Sequence, residues 1–171
     1  MPVGASEATP GGLLDRWAGV IAAVSAWIGA ALLLGMFLLI NIEIAARYVL
    51  GGSTLVADEY AGYMFAALVF LGMNHAIHAE KLITIDLPGR WGALMARPAM
   101  RFARACVMLG LNLALLYAAW LTVSMSMRFQ SRSIQYSKTL LAYPQALVAI
   151  GLALACIACI ALMLRAFKHR A

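Results

Sequence analysis

Four apolar runs constrain this chain more than any other feature: Ala18 to Ile40, about Tyr60 to Ile77, about Ala105 to Met127, and about Leu140 to Leu164. Each is close to the roughly 20 residues that an α-helix needs to cross about 30 Å of hydrocarbon. Helices suit lipid because they satisfy their own backbone hydrogen bonds. Barrel strands would instead alternate polar and apolar residues, with turns about every 10 residues. The composition agrees: 64% of the 171 residues are hydrophobic and 12% charged, whereas soluble proteins are about 25% charged. The expected fold is all-α, an integral membrane four-helix bundle forming one domain over residues 1–171. Its helices are expected at about 18–48, 55–79, 103–127 and 140–165.

The connections differ in character. The stretch NIEIAARYVLGGSTLVA, Asn41 to Ala57, reads at first as continuing helix. Glu43 and Arg47 stand four apart with the acid first, the better order for a helical ion pair. Gly51-Gly52 then ends the helix. Ser53 or Thr54 is expected to cap the second helix, with Asp58 and Glu59 near its positive N-terminal end. The longest gap, His78 to Arg104, holds Pro88-Gly89 and Pro98. Its segment RWGALMARPAMRFAR mixes bulky apolar residues with arginines, a composition suited to a membrane surface. Short interfacial helices are expected there, over about 82–102.

Charge supplies the orientation. The net charge is +6, but the basic residues sit between apolar runs and form no face interleaved with stacking aromatics, so nucleic acid is not the expected partner. Of the 13 lysines and arginines, nine fall on the side shared by the N-terminus, the middle gap and the C-terminal tail. The other side carries Arg47, Arg128, Arg132 and Lys138. The positive-inside rule then puts both termini in the cytoplasm. The opening MPVGASEATPGG lacks the basic start of a signal peptide, so the first helix is expected to stay in the mature protein.

Polar groups at membrane depth are costly and normally functional, and the helix centres hold few. Ser25, Asn112, Thr122 and Ser124 can each bond back to their own helix. Asn74, His75 and His78 fall near the cytoplasmic end of the second. Two histidines at i and i+3 lack the carboxylate or thiol pattern of a closed metal site. Cys156 and Cys159 spell C-x-x-C, but inside an apolar helix they read as small packing residues. No nucleophile, base and orienter come together, so neither catalysis nor a cofactor is expected. Small residues recur at helical spacing in Ala18, Ala22, Ala26 and Ala30, in Gly110, Ala114 and Ala118, and in Gly151, Ala155 and Cys159. Such stripes let helices approach closely in lipid, either within the chain or against a partner.

From Asn41 to Leu87 the chain resembles the small membrane subunit of tripartite ATP-independent periplasmic (TRAP) transporters, the DctQ-like family. Arg47-Tyr48 matches the Arg-aromatic pair that ends the family's first helix. Gly51-Gly52-Ser53 matches its small-residue turn, Glu59 the glutamate near the start of helix two, and Gly72 a glycine late in that helix. A His-Ile-x-Ile-Asp motif usually follows. Here Ile83, Ile85 and Asp86 are kept, and Leu82 stands in place of the histidine.

The resemblance implies a division of labour in a bacterial inner membrane. A large (DctM-like) membrane subunit carries the sodium and substrate sites, and a soluble periplasmic binding protein delivers an organic acid anion. The small subunit packs beside the large one, enlarges its static scaffold and helps dock the binding protein. Arg128 and Arg132, with Lys138, are expected in that docking surface. Arg47 and Glu59 are expected to hold the periplasmic joint between helices one and two, either directly or against the large subunit. The competing reading is a membrane anchor of a redox enzyme complex, which would want axial histidines on separate helices.

Overall fold

The computed structural model describes residues 13–79 and 98–168. They form four helices: α1 Leu13–Val49, α2 Ala57–His78, α3 Pro98–Arg128 and α4 Ala142–Lys168. All four contain windows long and apolar enough to cross a membrane, so the chain is an all-α, four-helix multi-pass protein. At about 1.5 Å per residue, α1 outruns the hydrocarbon layer. With its apolar run in lipid, its last turns, where Glu43 and Arg47 sit, reach the boundary.

The helices pack in the order α1, α2, α4, α3. Helix α4 lies against both α2 and α3 and grazes α1, while α1 and α3 do not meet. Ile77 of α2 joins Ala155, Ala158 and Cys159 of α4 in a buried cluster flanked by Met73, Met108 and Leu109. The small residues allow the approach. Ala18 and Ala22 are buried against the rest of the chain, and so are Gly151, Ala155 and Cys159. Gly110, Ala114 and Ala118 are exposed instead. The α4 stripe and the first half of the α1 stripe therefore serve the chain's own packing, whereas Ala26 is half-buried, Ala30 is exposed, and the third stripe lies on the outer side of α3.

Polar side chains at depth are used within the bundle. Asn74 of α2 donates to Ser25 Oγ of α1 at 2.9 Å, and Ser25 donates to the Ile21 carbonyl at 2.8 Å. Asn112 donates to the Met108 carbonyl at 2.9 Å, while its Oδ1 is buried with no hydrogen-bond partner among the described residues. Ser126 of α3 donates to Gln145 Oε1 of α4 at 2.6 Å. At the opposite end from the polar joint described below, Arg165 of α4 donates to the His78 carbonyl at 3.1 Å, capping the last turn of α2.

Two expectations meet the structure here. The interfacial segment expected at about 82–102 lies outside the described residues up to 97, and from Pro98 onward it belongs to α3. A proline at the first helical position costs no hydrogen bond, which lets the helix begin there. Ser53 and Thr54 do not cap α2. Its N-cap is Val56, which makes no side-chain cap bond. A buried carboxylate draws both hydroxyls away, because hydrogen bonds to a charged acceptor are the stronger kind.

Candidate functional site at the polar end of the bundle

The end where α1 stops, α2 starts and the α3–α4 link turns is built around two buried carboxylates. Helix α1 ends at Val49, and the chain turns at Gly51, whose φ of +67° is a conformation that glycine adopts without strain. The Leu50 and Gly52 amides reach back to the Ala46 carbonyl at 3.0 and 3.4 Å. The chain thereby doubles back over the helix end and lays Ser53 and Thr54 beside Glu43.

Glu43 is 6% exposed. Its Oε1 accepts from Arg47 Nη2 at 3.0 Å and from the Ser53 hydroxyl. Its Oε2 accepts from the Thr54 amide at 3.1 Å and from the Thr54 hydroxyl. Arg47 also donates to Ser53 Oγ at 3.4 Å, and its side chain stays 57% exposed. A carboxylate this short of water needs such donors. These bonds tie the 50–56 link to the end of α1.

Glu59, 5% exposed in the first turn of α2, does the same for the other link. Tyr63 donates to its Oε1 at 2.6 Å, and Ser137 to its Oε2 at 2.5 Å. Ser137 Oγ lies 2.7 Å from Thr139 Oγ1, which lies 3.1 Å from Tyr60 OH. An ionised carboxylate only accepts, so the Ser137 proton goes to Glu59. Thr139 must then donate to Ser137, and Tyr60 to Thr139. The Thr139 amide adds a bond to Ser137 Oγ at 3.2 Å. The link closes on itself through Ser133 N to Thr139 O at 2.9 Å, Leu141 N to Ser131 O at 3.0 Å, and an antiparallel bridge between Arg132 and Leu140.

The residues singled out by sequence are thus distributed over separate arrangements. Arg47 and Ser53 belong to the Glu43 cluster and Glu59 to the second cluster. Arg47 pairs with Glu43, not with Glu59. Tyr48 is 84% exposed. Gly72 is half-buried, and a methyl group there would meet nothing within 4 Å. Arg128, Arg132 and Lys138 are exposed around the α3–α4 link. Asp86 and Leu82 lie outside the described residues. The i, i+4 spacing of Glu59 and Tyr63 is a signal that sequence reasoning passed over. The part played by Ser137 and Thr139 had no local signal, since Ser137 bonds a residue 78 positions away.

Among the described residues no three His, Cys, Asp or Glu side chains come together. What the arrangement can do is fix two links rigidly while presenting cations to solvent.

No curated protein and no solved structure matches the chain. The family model for tripartite ATP-independent periplasmic transporters, DctQ component, matches residues 36–169. That match takes in both carboxylate clusters and most of the four-helix fold, and the chain therefore belongs to the DctQ component family of these transporters.

Proposed function

We propose that this chain is the small subunit of a sodium-coupled, binding-protein-dependent transporter for organic acid anions. In this reading it braces the large transport subunit and helps dock the periplasmic binding protein. The observation that carries the reading is how its polar groups at depth are used. Ser25 and Asn74 bond each other, Asn112 and Thr122 donate to the Met108 and Ala118 carbonyls, and Ser124 donates to Leu121. Apart from the Asn112 Oδ1, which is buried with no hydrogen-bond partner among the described residues, these groups are engaged on the chain's own helices and are not offered to a substrate crossing lipid, which would need several of them. A brace needs rigid apolar helices, and this chain supplies four.

The test is uptake of a labelled organic acid anion into proteoliposomes under a sodium gradient, with binding protein present. The liposomes hold this chain alone, the large subunit alone, or both. Uptake is expected only with both. Uptake by this chain alone would overturn the reading, and full uptake by the large subunit alone would remove the bracing role.

A further inference from the structure

The Glu59 network joins elements distant in sequence and ends at the exposed cations without touching them. Lys138 lies between Ser137 and Thr139, whose hydroxyls are in the network. Its backbone is left-handed, with φ +48°, and its amide donates to the Gln135 carbonyl at 3.1 Å. Arg132 sits across the Arg132–Leu140 bridge, next to Ser133, whose amide is held by Thr139. Both cationic side chains are exposed, while Glu59 is buried. A link held only by its own few backbone bonds would sample many shapes. Tying Ser137 to the first turn of α2 removes that freedom before any partner arrives, and cutting this ordering cost is how preorganisation improves association.

We propose that Glu59 is a positioning residue. It anchors the 129–141 link to α2 and so holds Arg132 and Lys138 in the array on which an acidic surface of the periplasmic binding protein docks. The proposal rests on the docking role given above and assigns Glu59 a task within it. Glu59 makes no contact with the binding protein, and it acts through Ser137 and Thr139. Its carboxylate is the required acceptor, since the donor order from Tyr60 to Thr139 to Ser137 ends on it. Ser137 is consequently as important as Glu59, and threonine, which keeps a hydroxyl on Cβ, suffices at 137.

The experiment uses the assembled membrane subunits in proteoliposomes and purified binding protein. Association and dissociation rates are measured across ionic strength, beside amide hydrogen exchange of the 129–141 link. The variants are Glu59→Gln, Ser137→Ala, Ser137→Thr and the double reversal Arg132→Glu/Lys138→Glu. Glu59→Gln and Ser137→Ala should each lower the low-salt association rate by roughly threefold or more and flatten its salt dependence, because steering needs the charges held in place. Amide exchange in the link should rise in both, recovery of the membrane complex should not change, and Ser137→Thr should behave as wild type. Wild-type docking by Glu59→Gln and Ser137→Ala, with docking slowed by the charge reversal, would overturn the proposal and leave the docking role standing. Slowed docking with unchanged exchange would mean direct contact by Glu59 and would also overturn it. Loss of complex recovery in Glu59→Gln would reassign the residue to assembly. An inert charge reversal would remove the docking role and the proposal together.

Discussion

A methyl group added at Gly151 on α4 would lie 2.7 Å from Cβ of Phe70 on α2 and 2.9 Å from that residue's carbonyl carbon. The backbones of the two central helices meet at this point, and neither atom belongs to a flexible side-chain end. Gly151→Ala is expected to push α2 and α4 apart and to cost about 1–3 kcal/mol, the range for overpacking a tight interior. Thermal unfolding of the purified chain in detergent measures it. A wild-type midpoint would show that the crossing relaxes freely. Gly72→Ala, with nothing within 4 Å of the added methyl, is the matched control and should leave the isolated chain unchanged.

Asn74 and Ser25 form the buried polar link between α2 and α1. Ser25→Ala leaves the Asn74 amide without that acceptor, at an expected cost of about 0.6 to 1.7 kcal/mol, as for other hydrogen bonds between membrane helices. Because both residues act through one bond, Ser25→Ala/Asn74→Ala should lose less than the sum of the single variants. Additive losses in the same unfolding assay would mean that the bond contributes nothing of its own.

Glu43 and Arg47 are partners, but not equal ones. Glu43 gathers the Arg47, Ser53 and Thr54 donors, whereas the Arg47 side chain is more than half exposed. Exposed ion pairs contribute little, so Arg47→Ala should leave the 50–56 link in place. Glu43→Ala should release it. Limited proteolysis reads the difference as cleavage between α1 and α2 in the Glu43 variant and protection in the Arg47 variant. Equal cleavage in both would show that the ion pair, and not the hydroxyl cradle, holds the joint.

Both termini are expected in the cytoplasm, which places the two carboxylate clusters at the periplasmic face. The imbalance of lysine and arginine between the two sides motivates this. Reporter fusions after Ala171 and within 130–137 should report cytoplasmic and periplasmic locations respectively. A periplasmic signal from the C-terminal fusion would invert the assignment.

The amino-acid sequence by itself determined what depends on neighbours along the chain. Four long apolar runs can only become helices in lipid, since helices alone satisfy their backbone within one segment. Glu43 and Arg47 meet because residues four apart share a helix face, and the chain turns after α1 at Gly51 because glycine tolerates a positive φ. The tertiary structure decided everything that depends on which helix lies beside which. Spacing marked three small-residue stripes as equivalent, yet packing buried Gly151–Ala155–Cys159 and left Gly110–Ala114–Ala118 outside. Ser53 and Thr54 had the composition of helix caps, yet a buried carboxylate from the preceding helix took their hydroxyls. Glu59 does not pair directly with Arg47; beside Tyr63, four residues on, it is held by Ser137, 78 residues away. No periodicity encodes such a pairing. It exists because α2 and α4 cross closely enough to bring the α3–α4 link over the start of α2, where a desolvated carboxylate must find donors.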